Sequence, residues 1–584
     1  MRYQVKKVRR TRGAGRLSRG LLCGASFSAL ALFATSSVVH AQNADRYWDA
    51  NGSMPVSGGN GNWNTSSALW SQSNSDVLGP YQAWNNAALD NAIFGTAAGT
   101  TTNVGTVTLT DPITVHNLTF QRVNNWLLQG GTLTLAGVNP TIHTPNHVTI
   151  DSIIAGTAGL TKTGGAQLTL GGVNTFSGGV TLGGGTLRMV NDTALGAPSN
   201  NLSVIANSTL WIEDGSTSRT IDINAGTTLA ISGVGTGSAL YTGGGNLILS
   251  PGGAITLCNN NNTYTGTTRF NGCNGVCRLY FTSIGDLGEA SALGAPTTEA
   301  NGTIHFQQSS QYSDVVTYLG TGDSSNRNWT IVTNNAARIG NEGTGTLTIT
   351  GNIAASGGGA PQFQAMTADI ALLGVLSGGD YIFDGNVGRT ITLGDANSYT
   401  GLTTIRAVTT RAGVLADTGV VSSLGTGSAV SFMDGGWLSY TGGGSSSDRL
   451  WTANGAASIA NDGTGALLLS GGFSFDPTNP TPDSLTLGGS YTGSNTFSGV
   501  LSGVGDLVMD GAGSWLLSGA NTLTGLIRVE SGTLRAGSAT AFSTPTGVTV
   551  NGGTLDLNGF DLVTPSLSGD GGTLALGAAH LTVN

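Results

Sequence analysis

Charge is scarce in this chain. Asp, Glu, Lys and Arg together make up 9% of 584 residues, well below the share an ordinary enzyme of this length carries. Helices draw on Ala and long charged side chains, and here Gly (94 residues), Thr, Ser, Asn, Val, Ile and Leu take their place, which favours short strands joined by tight turns. Low charge also marks disordered chains, but 39% hydrophobic residues set in alternating runs exclude that. So uniform a composition fits one long repeat array better than several globular domains.

Recognisable catalytic motifs are also lacking. There is no Gly-x-Ser-x-Gly, no His-Glu-x-x-His, no Gly-x-x-x-x-Gly-Lys-Ser/Thr and no Asp-Asp pair anywhere. His143 and His147 have the spacing of ligands on one helical face, but Pro140 and Pro145 argue against a helix there, which leaves surface histidines on a loop. Glu213-Asp214, beside Trp211, reads as a turn or solvated edge. Lys162, the only lysine beyond residue 7, sits in a repeat opening and reads as structural or solvent-facing. No catalytic, cofactor-binding or metal residue is assigned, and no cofactor is expected.

Cysteine is equally sparse, at four residues. In an oxidising compartment Cys273 and Cys277 are a candidate disulfide across an Asn-Gly-Val turn, with Cys258 left free, though other pairings of the three stay open.

Residues 1–41 carry Arg2, Lys6, Lys7, Arg9, Arg10, Arg12, Arg16 and Arg19 ahead of an apolar stretch from Leu21 to Val39. This reads as a secretory signal with an extended basic start, cut between Ala41 and Gln42. Gly and Ser dilute the apolar stretch too far for a membrane anchor. Without it, 15 Lys plus Arg face 32 Asp plus Glu, a net charge of −17, and nucleic acid is excluded as a partner.

What is present is repetition. Residues 42–100 hold Trp48, Trp63, Trp70 and Trp84, four of ten tryptophans, and read as an N-terminal cap over an exposed first layer. A sugar-binding aromatic platform is the alternative. Residues 101–584 alternate at period two in strands of about five residues, as in Thr106-Val-Thr-Leu-Thr110 and Gly131-Thr-Leu-Thr-Leu135. A five-residue phrase, Asn, Thr/Ser, aromatic or Leu, Ser/Thr, Gly, starts at Asn174, Asn262, Asn397, Asn495 and Asn521. A second phrase links Arg327-Asn-Trp to Asn341-Glu-Gly-Thr-Gly and Arg449-Leu-Trp to Asn461-Asp-Gly-Thr-Gly. Such strands predict an all-β parallel β-helix, or β-solenoid, in which each coil pairs with the coils above and below. If the asparagines occupy equivalent turns, their amides form a ladder along one edge of the stack.

The strings Leu160-Thr-Lys-Thr-Gly164, Leu168-Thr-Leu170, Asn174-Thr-Phe-Ser-Gly178 and Gly185-Thr-Leu187 resemble the autotransporter-associated β-strand repeat of bacterial autotransporter passengers. The opening Trp48-Asp-Ala-Asn-Gly52 is similar to the start of many such passengers, so the resemblance covers roughly residues 45 to 584. It implies a right-handed parallel β-helix exported to the cell surface, or secreted, by a Gram-negative bacterium. It also implies a translocator β-barrel as partner, yet no set of membrane strands follows Gly499, which suggests a truncated frame or another export route. The leading functional expectation is a non-enzymatic passenger contributing adhesion, aggregation or a structural coat, with an unknown glycan or protein as surface ligand. A carbohydrate-processing β-helix enzyme and an inert autotransporter fragment are the alternatives.

Overall fold

The computed structural model describes residues 43–584 apart from 53–55, 57, 74–79, 96–104, 122–124, 273–276, 309–313, 336 and 479–482. The proposed signal, its Ala41/Gln42 junction and Cys273 lie outside the described residues. Residues 43–584 form one unit, a β-solenoid of about 22 turns.

Coils lay down two or three strands in a fixed order around three faces, and strands of successive coils pair in parallel. On the first face, Thr141–His143, Leu160–Thr163, Val180–Gly183, Leu202–Val204 and Thr220–Ile223 succeed one another. On the second, Val148–Ile150, Gln167–Leu170, Gly185–Met189, Ser208–Ile212 and the long strand from Thr228 do the same. The third begins with Ile113–Val115, Thr132–Leu135 and Ile153–Ala155. The antiparallel ladders among the described residues, Tyr47↔Ser71 with Trp48↔Trp70 and Trp70↔Gln82 with Ser71↔Tyr81, lie near the start, and one isolated antiparallel bridge joins Asn397 to Ser422.

Period-two alternation decides what fills the interior. In Gln167–Leu170 the buried residues are Leu168 and Leu170, and the neighbours Gln167 and Thr169 are partly exposed. Parallel register then stacks like on like: Val148, Leu168, Leu187, Leu210, Ile231, Leu249, Phe270, Phe306 and Ile331 form one continuous inward column. Each is at most 2% exposed. Burying such side chains is the main driving force, and the inter-coil ladders satisfy the backbone that burial would otherwise strand.

Near the start, Trp48, Trp63, Trp70 and Trp84 are all buried. Their rings pack edge-on or tilted, with centroids 4.7–5.3 Å apart, and Trp63 and Trp70 also meet Phe94. With at most 3% of any of the four indoles exposed, the alternative of an aromatic sugar platform in this segment is overturned. The four indoles bury one another.

Candidate functional site

The asparagine phrase is the chain's most repeated feature, and four of its copies act alike. The Asn174 Oδ1 accepts from the Ile154 N–H (2.7 Å) and its Nδ2 donates to the Ala194 carbonyl (2.7 Å). Asn262 joins Tyr241 (2.9 Å) to Ala292 (3.0 Å). Asn397 joins Leu376 to Ser423 (2.8 Å each), and Asn521 joins Leu501 (2.9 Å) to Ala541 (2.7 Å). Each amide therefore clasps three coils: it takes a backbone donor from the coil before and gives to a backbone acceptor on the coil after.

The expected ladder along one edge is not formed. Asn174 and Asn521 lie on the third face, where Thr175 and Thr522 bond Ile154 and Leu501. Asn262 lies on the first, with Thr263 bonded to Tyr241, and Asn397 on the second, with Ser398 bonded to Leu376. Asn495 is on the second as well, within Ser494–Phe497. Copies scattered over three faces do not meet one another, and four of the five amides find backbone partners on both sides instead.

The closing glycine of the phrase is there for space. A Cβ on Gly178, Gly266, Gly499 or Gly525 would come within 2.1 Å of a backbone atom of the preceding coil, and one on Gly401 within 2.1 Å of Asp380 Oδ1. The Leu-Gly corners on the following coil use glycine for its backbone freedom, with Gly196, Gly294 and Gly425 at φ +73°, +78° and +69°.

Three of those corners are gripped from the coil beyond by a buried arginine. Arg219 forks onto Asp192 and reaches the Gly196 carbonyl (3.0 Å). Arg327 donates to Leu293 (2.8 Å) and Gly302 (2.7 Å), and Arg449 to Leu424 (2.8 Å) and Gly425 (2.6 Å). Burial pulls the Arg327 pKa down to about 10. Sequence reasoning missed these residues as buried groups, although the recurring Arg-x-Trp of the second phrase was the signal for Arg327 and Arg449.

Lys162 is fully buried and its Nζ donates to the carbonyls of Thr163 (3.2 Å), Gly164 (2.8 Å) and Gly184 (2.9 Å). Burial pushes its pKa down to about 8. His143 closes a strand instead of lying on a loop, its Nδ1 3.0 Å from Thr163 Oγ1. Burial, with Lys162 nearby, holds its pKa below the usual histidine value. Glu213 is more than a solvated edge: it receives a two-point contact from Arg188, Nε at 3.0 Å and Nη2 at 2.6 Å. The Arg188 guanidinium lies 5.7 Å from the Trp211 ring centre. Cys277 is in a disulfide and Cys258 is free. Among the described residues no group of three His, Cys, Asp or Glu is placed to hold a metal, and no helix is long and apolar enough to cross a membrane.

Comparison with known proteins agrees with this geometry. Residues 160–189, 389–407 and 507–536 match the passenger-associated-transport-repeat model, and each segment contains an asparagine clasp or its supporting strands. Across 557 residues, 92% of the chain, it is 46% identical to the adhesin BmaC autotransporter of Brucella suis biovar 1 (strain 1330). The chain spans 16% of the length of that relative. No solved structure matches it. In its stacked parallel coils, its repeats and this likeness the chain is similar to an autotransporter passenger region.

Proposed function

We propose that this chain is a non-enzymatic adhesive passenger, held on the surface of a Gram-negative bacterium or secreted from it. The observation that carries the reading is its likeness, over nearly the whole chain, to a protein named as an adhesin autotransporter. The use of ionisable groups supports it: Lys162 and the arginines at 219, 327 and 449 spend their donors on backbone carbonyls of neighbouring coils. Groups committed in this way are not available for acid, base or nucleophile work.

In this reading residues 1–41 direct export and are cut between Ala41 and Gln42. The tryptophan cluster within 42–100 closes the first coil, and 101–584 present the repeat faces. Cys273 is the partner of Cys277. Passage through the outer membrane requires a translocator β-barrel, and the surface ligand is a host glycan or protein. With a net charge of −17 after the signal, nucleic acid is not a ligand.

Beads coated with the purified chain, offered to cultured epithelial monolayers, test this directly. Attachment several-fold above that of albumin-coated beads is expected, and equal attachment would contradict it.

A further inference from the structure

Most large aromatics of this chain point inward, and Trp211 is an exception. In Ser208–Ile212 the buried positions are Ser208, Leu210 and Ile212, so parity turns Trp211 outward on the second face, where 40% of it is exposed. On the coil before, in register with it, stands Arg188, whose guanidinium stacks on the ring and is fixed there by the Glu213 fork. On the next two coils the register positions are Ser232 and Ser250. Side chains that small leave the ring's far side without a large neighbour.

Two residues along the same strands lies a shallow groove of about 480 Å³ that runs across successive coils. Gly165, Gly185, Thr186, Ser208, Thr209 and Ala230 are among the residues that line it. Among the described residues the hydroxyls of Thr186 and Thr209 have no hydrogen-bond partner, and both face the groove as donors and acceptors. Thr186 and Thr209 are in register on adjacent coils, which repeats the hydroxyl at the ladder spacing of about 4.8 Å.

We infer that Trp211 and this groove form a binding site for a neutral oligosaccharide, an inference that deepens the adhesive reading and rests on it for its biological purpose. The chemistry selects this ligand class over others. An indole held flat by a fixed cation offers a stacking face to the C–H side of a sugar ring, and unpaired hydroxyls in an open groove exchange hydrogen bonds with its O–H groups. An extended peptide cannot add to these strands, because Gly185–Met189 and Ser208–Ile212 already pair on both sides. Polyanionic glycans meet a chain of net charge −17 and a single arginine already neutralised by Glu213.

The test titrates the purified chain with maltohexaose, cellohexaose, mannohexaose and chitohexaose, followed by calorimetry, with heparin as the anionic control. Saturable binding of at least one neutral hexasaccharide is expected. It should weaken at least tenfold in Trp211→Ala, recover partly in Trp211→Phe, weaken in Thr186→Val, and persist in Trp437→Ala, which removes an exposed tryptophan from another face. Unchanged melting and circular dichroism of Trp211→Ala show that the loss is local. No binding of any neutral hexasaccharide, binding indifferent to Trp211, or binding of heparin alone overturns the site. Bead attachment is scored separately: beads that adhere equally with wild type and Trp211→Ala sink the glycan site and leave adhesion standing. Beads that do not adhere sink the adhesive reading, whatever the titration gives.

Discussion

Asn521 and Asn495 head nearly the same phrase, and the fold treats them differently. The Asn521 amide is bonded on both sides, accepting from Leu501 below and donating to Ala541 above. Asn495 accepts from Leu467 (3.0 Å) and from Asn461 Nδ2 (2.6 Å), but its own Nδ2 is buried with no acceptor. The register explains the difference. Above Asn495 stands Trp515, an inward indole whose N–H is itself a donor, whereas above Asn521 the chain turns a corner that offers a carbonyl. The phrase supplies half of a clasp, and the following coil decides whether it closes.

The glycines of the two phrases should not show this difference. Gly499→Ala and Gly525→Ala each place a Cβ about 2 Å from the backbone of the coil beneath, so both should cost more than about 3 kcal/mol. A solenoid unfolds in parts, so the readout is opening of the affected coil by hydrogen exchange. A mild effect in only one of them would mean that the coils are spaced unequally.

At the asparagines the two sites should separate. Asn521→Ala strands a buried N–H and a buried C=O and is expected to cost about 3 kcal/mol. Asn495→Ala strands two donors but removes one already unsatisfied, and about half that loss is expected, by the same measurement. Equal losses would show that Asn495 finds an acceptor that the structure does not give it. A third comparison sharpens the second: Asn495→Asp provides acceptors and no idle donor, and it should weaken more as the pH is raised and the buried carboxylate ionises.

The smallest effect lies in the matched repeats 160–189 and 507–536, where one of several differing buried positions changes from a cation to an apolar side chain, Lys162 in the first and Met509 in the second. The folded pKa of Lys162, about 8, is below its unfolded value of 10.5. Between these two the unfolded chain binds the extra proton, so stability should rise with pH across that window. Lys162→Met removes that slope, and at pH 7 should lie within about 1 kcal/mol of wild type. Denaturant midpoints at pH 7 and pH 10 measure both, and an unaltered slope would show that Lys162 titrates as if in water.

The solenoid itself was legible because two signals agreed: alternation gave the inward column through Leu168 and Leu170, and low charge removed helices. The face of each asparagine was not legible. Coils lengthen from place to place, so that Asn174 reaches a partner 20 residues on and Asn262 one 30 residues on, and a phrase whose bonds are local carries no record of perimeter position. Arg219, Arg327 and Arg449 went unread as core residues because a buried cation is rare without a carboxylate, and carbonyl corners formed by distant residues are invisible in sequence. Trp211 was readable in principle, since Leu210 and Ile212 on either side fix its parity, but only once the strand's inward set was known.

Amide exchange at Leu376 tests the central account most directly, because this N–H lies inside the stack and its acceptor is the Asn397 side chain, not a ladder carbonyl. Exchange as slow as that of the ladder amide of Ile405, with selective acceleration at Leu376 and in its coil in Asn397→Ala, is the predicted result. Exchange as fast as a surface turn in the wild-type chain, or no response to the substitution, would contradict a stack whose coils are clasped by asparagine.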